Sequence, residues 1–413
     1  MAQNYSGYSI ISPAISYANS VNIDAFGRLR VSNPYTLFDS SHRFADNNLW
    51  STSTATSGTA VFNANQGLVD LNVTAASGSE VIRETTKIFS YQPGKSLLVL
   101  NTFVMSSAKT GLRQRVGYYG AANGYYLEQN DSTVSFVERS SVSGALVNTP
   151  VTQASWNVDP MNGTGPSGIT LDLTKAQILF MDLEWLGVGT VRIGFVIDGN
   201  FYVCHKFQHA NIIASTYITT ASLPLRYEIT NTGATSGAST LKQICSTVLS
   251  EGGYELAGLQ QAIGIPINSP RTLGTAGTFY PVISLRLKTT RLDGIAILSA
   301  LSAMPITTGH YNWQLIATGT TTGGTWVSAG TNSCLEYNIT GTTFAGGRIL
   351  ASGFFNATNQ GSSQIDLLKE ALFKFQLERN GLTATPFELT LVIASDSASD
   401  TVVASLDWEE ISR

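Results

Sequence analysis

VRIGFVIDGNFYVCHKF, Val191 to Phe207, is the stretch on which the fold class turns. Val191, Ile193, Phe195 and Ile197 alternate with other residues, Asp198-Gly199-Asn200 interrupts, and Phe201, Val203, His205 and Phe207 resume the alternation. A period of two puts every second side chain on one face of an extended chain, so each run reads as a strand with one apolar side. Asp-Gly and Gly-Asn tolerate the positive φ that a tight hairpin turn needs. The stretch therefore predicts a β-hairpin. Similar runs occur at 97–105, 116–119, 134–138, 179–185, 225–229, 282–287, 294–298, 313–316 and 387–393, separated by Gly, Asn, Asp, Ser and Thr. Such spacing along the whole chain predicts an all-β protein built of antiparallel sandwiches, and excludes a parallel sheet flanked by helices.

One segment competes with that pattern. IDLLKEALFKFQLER, Ile365 to Arg379, gathers helix-forming residues. An internal echo decides for a strand over 373–379: LDLTKAQILFMDLEWLG (171–187) aligns with IDLLKEALFKFQLERNG (365–381), matching Asp172 to Asp366, Lys175 to Lys369, Leu183 to Leu377 and Glu184 to Glu378. VRIGFVI is echoed in turn by FELTLVI. A tandem duplication follows as the expectation. It gives residues 1–40 as an N-terminal arm, 41–252 as a first sandwich and 253–413 as a second, with a small hairpin turn at Phe26-Gly27-Arg28 inside the arm.

Composition narrows the function classes. Charged residues make up 13% of the 413 residues and the formal net charge is −4, with no Lys/Arg cluster. A nucleic-acid surface needs several converging cations, so nucleic acid is not an expected partner. No apolar run approaches the length of a membrane-spanning helix, and the opening MAQNYSGYSIISPAISYA has neither a basic start nor a sustained apolar core, so neither membrane insertion nor a secretory signal is expected. Cys204, Cys245 and Cys334 are odd in number and widely spaced, which reads as three separate buried thiols.

VNIDAFGRLRVSNPYTLFDSSHRF, ETTKIFSYQPGKS, LEWLGVGTVRIGFVIDGNFYVCHKFQHAN and LPLRYEITNTG, spread over roughly the first 230 residues, resemble segments of tailed-bacteriophage virion structural proteins. Their strand order is similar to a concanavalin A-like jelly roll. The resemblance implies a virion component, a capsid decoration, head fibre or tail appendage, with other virion proteins as partners and a homotrimer as the expected assembly. It supplies no site residues.

The residues themselves suggest four kinds of site. Ile23, Phe26, Arg28, Leu29, Val31 and Phe38 would carry assembly, because an arm gains strand hydrogen bonds and apolar contact when it docks. Tyr118, Tyr119, Tyr125 and Tyr126, beside Gly120 and Gly124, could form a loop platform for a host surface glycan, or be core and edge tyrosines. Asp182 and Glu184 fall on one strand face and offer a two-carboxylate glycosidase pair. The competing account makes them, with Arg192, Arg226 and Glu228, an ionic ladder. His205 and His209 would lie ~13 Å apart on a strand, too far for one ion. Asp396 and Asp400 in ASDSASDT could hold Ca²⁺ weakly or line a solvated loop. No cofactor or resident metal is expected, and no catalytic motif makes the chain an enzyme.

Overall fold

The computed structural model describes residues 23–46, 48–253, 258–357 and 375–412. The chain divides into two compact units, residues 1–254 and 255–413. Every strand pairing is antiparallel, and among the described residues the one helical element is the 3₁₀ turn Gln153–Ser155. The fold is all-β, with antiparallel sandwiches of jelly-roll type.

In the first unit one sheet has the order Asn200–Phe207, Val191–Ile197, Gln177–Leu183, Leu97–Val104, Ser239–Ser250, Leu68–Val73, Thr59–Asn63. Tyr35–Ser41 also pairs with the long strand Ser239–Ser250. The facing sheet runs Val147–Thr152, Thr133–Ser140, Gly124–Asn130, Leu112–Tyr119, Leu225–Asn231, Glu80–Thr85, Trp50–Ala55. Alternate residues of both sheets, among them Val99, Phe103, Val116, Leu127, Phe136, Leu179, Met181, Ile193, Phe195, Tyr227 and Ile229, fill one buried core. Period two is thus the physical origin of the sandwich: each strand gives one face to the interior.

The hairpin at 191–207 forms as its sequence predicts. Ile197 pairs with Asn200, and Asp198 and Gly199 take φ of 50° and 80°. One detail departs from strict alternation. The register shifts after Ile193, so Cys204 is an extra residue on its strand. This bulge reverses the facing: Cys204, His205 and Phe207 turn to the interior side, while Phe201 packs against Phe180 with ring centroids 5.0 Å apart, outside the main core.

The arm expected over 1–40 is shorter than its sequence suggested. Tyr35–Ser41 is an integral strand, and Phe38 lies in the core against Trp50 and Phe89, at 6.0 and 5.0 Å between centroids. Phe38 is therefore a core residue and not an assembly contact. Ahead of it, Ile23 bridges Leu29 around Gly27, whose φ of 79° makes the predicted small turn.

In the second unit, Leu259–Gly264, Arg271–Leu273 and Gly294–Pro305 all pair with the long strand Asp400–Ser412. The facing sheet runs Val327–Ser328, Leu335–Asn338, Tyr280–Leu287, Glu388–Ser395, His310–Ala317, Arg348–Asn356, and a two-stranded ribbon joins Thr320–Thr322 to Thr343–Ala345. Leu285, Leu298, Trp313, Leu391, Leu406 and Trp408 belong to the core between the sheets. Of the echoed segment, residues 365–374 lie outside the described residues, and 375–379 makes isolated bridges, Leu377 to Ala296 and Arg379 to Pro386, in place of the continuous strand expected over 373–379. Glu388–Ser395 pairs with Tyr280–Leu287 and His310–Ala317, whereas Val191–Ile197 pairs with Gln177–Leu183 and Asn200–Phe207. The two halves of the echo are paired differently.

Candidate ligand-binding site

The residues singled out by sequence fall into separate arrangements in the first unit. Asp182 sits within its sheet, buried, and accepts hydrogen bonds from Ser96 Oγ, Arg30 Nη2 at 2.7 Å and Arg192 Nη2. Arg30 also pairs with Glu251, and Arg192 Nη2 donates to the Ile23 carbonyl at 2.7 Å. Glu184 lies beyond the strand end at Leu183, where its Oε1 accepts from the Thr190 amide at 2.7 Å. Burial raises the Glu184 carboxyl above its usual range, but Asp182 is closed to substrate and held by two guanidiniums. The pair is no glycosidase centre: Asp182 clamps the N-terminal hairpin onto the sheet.

Arg226 and Glu228 belong to the other sheet. Register places Glu128, Arg115 and Glu228 side by side across three strands of it, and Arg226 beside Glu84. Arg115 bonds Glu128 at 2.7 Å and Glu228 at 2.9 Å, Arg113 bonds Glu228 at 3.0 Å, and Arg226 bonds Glu84 at 2.8 Å. Burial opposes the charge on Glu228, yet the surrounding guanidiniums of Arg115, Arg113 and Arg226 outweigh it and hold the carboxyl below its ordinary value. The single ladder expected of Asp182, Glu184, Arg192, Arg226 and Glu228 is split: Asp182 pairs with Arg192 on one sheet, Arg226 and Glu228 belong to a separate network on the other, and Glu184 accepts from the Thr190 amide.

The four tyrosines are not a loop platform. Each is at most 1% exposed, because they stand on the paired strands Leu112–Tyr119 and Gly124–Asn130, whose turn is the short Gly120–Asn123 connection. Tyr118 donates to the Ala221 carbonyl at 2.7 Å inside the core, and Tyr125 donates to Glu138. Tyr119 and Tyr126 point the other way, beneath Arg139, Arg115 and Arg226, with Tyr126 bonding Asn148 at 3.0 Å. Rings covered by guanidiniums have no face left for a sugar.

His205 and His209 are separated by role. His205 Nδ1 accepts from the Asn157 amide at 3.2 Å, and burial pushes its pKa down to about 4. His209 stacks on Tyr217 and bonds Glu138 and the Gly189 carbonyl, each at 2.7 Å. Asp396 bonds His310 at 2.7 Å and Asp400 accepts from Ser395, so each acid of that loop has a protein partner. Cys204 alone of the three thiols is fully buried; Cys245 is exposed on a strand bulge and Cys334 is half-buried, correcting the expectation of three buried thiols.

Cys334 leads to a concave site that sequence reading missed. A cavity of about 410 Å³ opens in the second unit. Three walls build it. The first is the turn 288–293 between Tyr280–Leu287 and Gly294–Pro305, closed by Arg291 N to Lys288 O at 2.9 Å and held from outside by Arg379, which donates to Leu292 O and to Asp293 at 3.1 and 3.2 Å. The second is the loop carrying Asn332 and Cys334, tied to the first by Lys288, whose Nζ donates to the Gly330 and Ser333 carbonyls. The third is the strand pair bearing Leu259 and Ile411. Glu410 stands at the floor and joins the walls: it accepts from Ser333 Oγ, from the Cys334 amide at 2.7 Å and from Trp408 Nε1 at 2.8 Å.

The chemistry of this cavity suits holding and not reacting. Burial, with Glu410 alongside, pushes the Cys334 thiol up to about 12, so it stays protonated and is a poor nucleophile. Glu410 has three donors on its two oxygens, leaving Asp293 as the one lining carboxylate open to solvent. The side chains of Thr290, Arg291 and Asn332 are exposed and have no partner among the described residues. A patch of unpaired donors and acceptors beside Leu259, Leu292 and Ile411 is the usual composition of a small-ligand pocket. Its residues come from four distant stretches of chain, with no local motif to announce them.

No family model matches the chain, and no curated protein matches it. Among solved structures, the carbohydrate recognition domain of Emp47p is 11% identical, with 53% of this chain and 97% of that one covered and a TM-score of 0.34. A legume lectin-like domain from Entamoeba histolytica is 10% identical over 52% and 97% of the two chains at 0.30, and a glycoside hydrolase family protein from Mycobacterium thermorestibile 9% identical over 51% and 99% at 0.35. Likenesses this distant leave the functional argument to the chain's own geometry.

Proposed function

We propose that the protein is a non-catalytic binding protein that holds a short saccharide in the cavity of its second unit, with the first unit as a rigid carrier. The observation that carries this is an exposed polar rim, where Thr290, Arg291 and Asn332 have no side-chain partner among the described residues and Asp293 is open to solvent beside its Arg379 ion pair, next to Leu259 and Leu292. Sugar hydroxyls ask for convergent donors and acceptors, and the C–H face of a pyranose asks for an apolar surface; the cavity presents both. Among the described lining residues Glu410 is taken by three donors and Asp293 stands alone as an open carboxylate, which is why binding is preferred to hydrolysis. A glycan array probed with the intact protein should show retention that Asn332→Ala weakens about tenfold, the value of one hydrogen bond to a rigid partner. Retention unchanged by Asn332→Ala, or no retention on any glycan, would count against the proposal.

The second reading is a structural component of a tailed-phage particle, assembled as a homotrimer, attached to other virion proteins and meeting the host surface glycan through the same cavity. Its support is the sequence resemblance together with Leu29 and Val31, 54% and 86% exposed on a hairpin that Arg30 fixes in place. Replacing both by Ser should abolish incorporation into particles without changing the melting temperature; normal incorporation would remove this reading.

A further inference from the structure

We infer that the cavity selects a neutral hexose unit and rejects a uronate, an inference that rests on the saccharide reading above. The charges that meet a ligand there are unequal in burial. Arg291 is on the exposed rim, where water and salt screen it. Asp293 is exposed as well, and Arg379 offsets its charge from outside the cavity. Glu410 is different: 8% exposed, it lines the floor, and among the described residues no cation lies within ion-pair distance of it. Its charge is held by three neutral donors, the Ser333 hydroxyl, the Cys334 amide and the Trp408 indole N–H. The cation nearest the loop, Lys288, is occupied by the Gly330 and Ser333 carbonyls and does not line the space.

A ligand carboxylate seated beside Glu410 would give up part of its water and face a carboxylate that no cation offsets among the described residues, so the two charges repel. A contact with Arg291 at the wet rim recovers little of that loss. A hydroxyl at the same place carries no charge to repel. Asp293 then accepts from ligand hydroxyls, Asn332 and Thr290 both donate and accept, and Leu259, on the same sheet face as Glu410, offers an apolar side chain to the C–H face.

The test titrates the full chain with neutral gluco-, manno- and galacto-configured oligosaccharides and with the same sugars oxidised to the uronate at C6. The neutral member should bind at least about tenfold more tightly than its oxidised counterpart, and Glu410→Gln should shrink the difference to about threefold or less. Equal or tighter binding of the uronate, or a difference untouched by Glu410→Gln, overturns this inference while the saccharide reading stands. Binding of neither form overturns both. Should Glu410→Gln fail to fold, Arg291→Ala decides: discrimination against the uronate should persist or grow, and its collapse would show that the rim, not the floor, sets the preference.

Discussion

At the scale of single residues, buried charge and proton equilibria set the sharpest expectations. Asp182 has two guanidinium partners and a hydroxyl donor in a buried setting, so Asp182→Asn leaves Arg30 and Arg192 without their carboxylate. The first unit should lose about 3–5 kcal/mol of stability, measured by denaturant unfolding, while saccharide binding in the second is unaffected. His205 is held neutral, with a folded pKa of about 4 against an ordinary 6.5. Because the unfolded chain binds the proton first, its contribution is complete above about 6.5 and is lost as pH falls from there to about 4. His205→Gln should flatten unfolding stability against pH across that window. Glu228 titrates on the same side but later: with its folded pKa below the ordinary value of 4.5, its contribution persists above 4.5 and fades only in more acidic solution. In the second unit, a Cβ on Gly294 would come within 2.6 Å of Cys334 Sγ, so Gly294→Ala must push the two cavity walls apart. Weaker saccharide binding with an intact fold is the expected result, read by calorimetric titration.

At the scale of elements, the boundary between arm and sandwich can be checked directly. Removing residues 1–34 takes away the Arg30 clamp but leaves the strand Tyr35–Ser41, whereas removing 1–41 also takes Phe38 from the core. The longer deletion should cost at least about 3 kcal/mol more than the shorter, the scale of losing one buried phenylalanine; equal stabilities would return Phe38 to the arm. Alternation made the strands legible from sequence wherever one face was buried, as at 191–197 and 97–104. It could not show the bulge at Cys204, because an inserted residue changes pairing without changing composition, nor that Phe38 belonged to a strand whose neighbours Tyr35 and Leu37 are only partly covered or exposed. The tyrosines misled for a related reason: Gly120 and Gly124 looked like loop markers, but they bound a turn so short that Tyr119 and Tyr125 are already in the sheet. The outward facing of Arg226 and Glu228 was legible, since charged residues alternating with Leu225, Tyr227 and Ile229 point away from the core; their separation from Asp182 and Arg192 was not, because alternation does not say which sheet a strand joins.

At the scale of the whole molecule, the proposed reading divides function between the units. The first spends its charged residues on itself: Arg113, Arg115, Arg226, Arg30 and Arg192 all answer carboxylates of the same unit. Such pairing fixes geometry and leaves few groups for a ligand. The second unit leaves Thr290, Arg291 and Asn332 without a partner among the described residues around a cavity, and no pattern in the sequence could foretell it, since residues near 259, 290, 332 and 410 meet only through sheet pairing and the Glu410 hydrogen bonds. The measurement that bears most directly on this division is amide chemical-shift mapping of the intact, isotope-labelled protein during titration with the neutral oligosaccharide that binds best. Shifts confined to residues around 290–294, 332–334 and 410–411 are the predicted result. Shifts centred on the Arg115–Glu228 face of the first unit, or scattered with no focus, would contradict it.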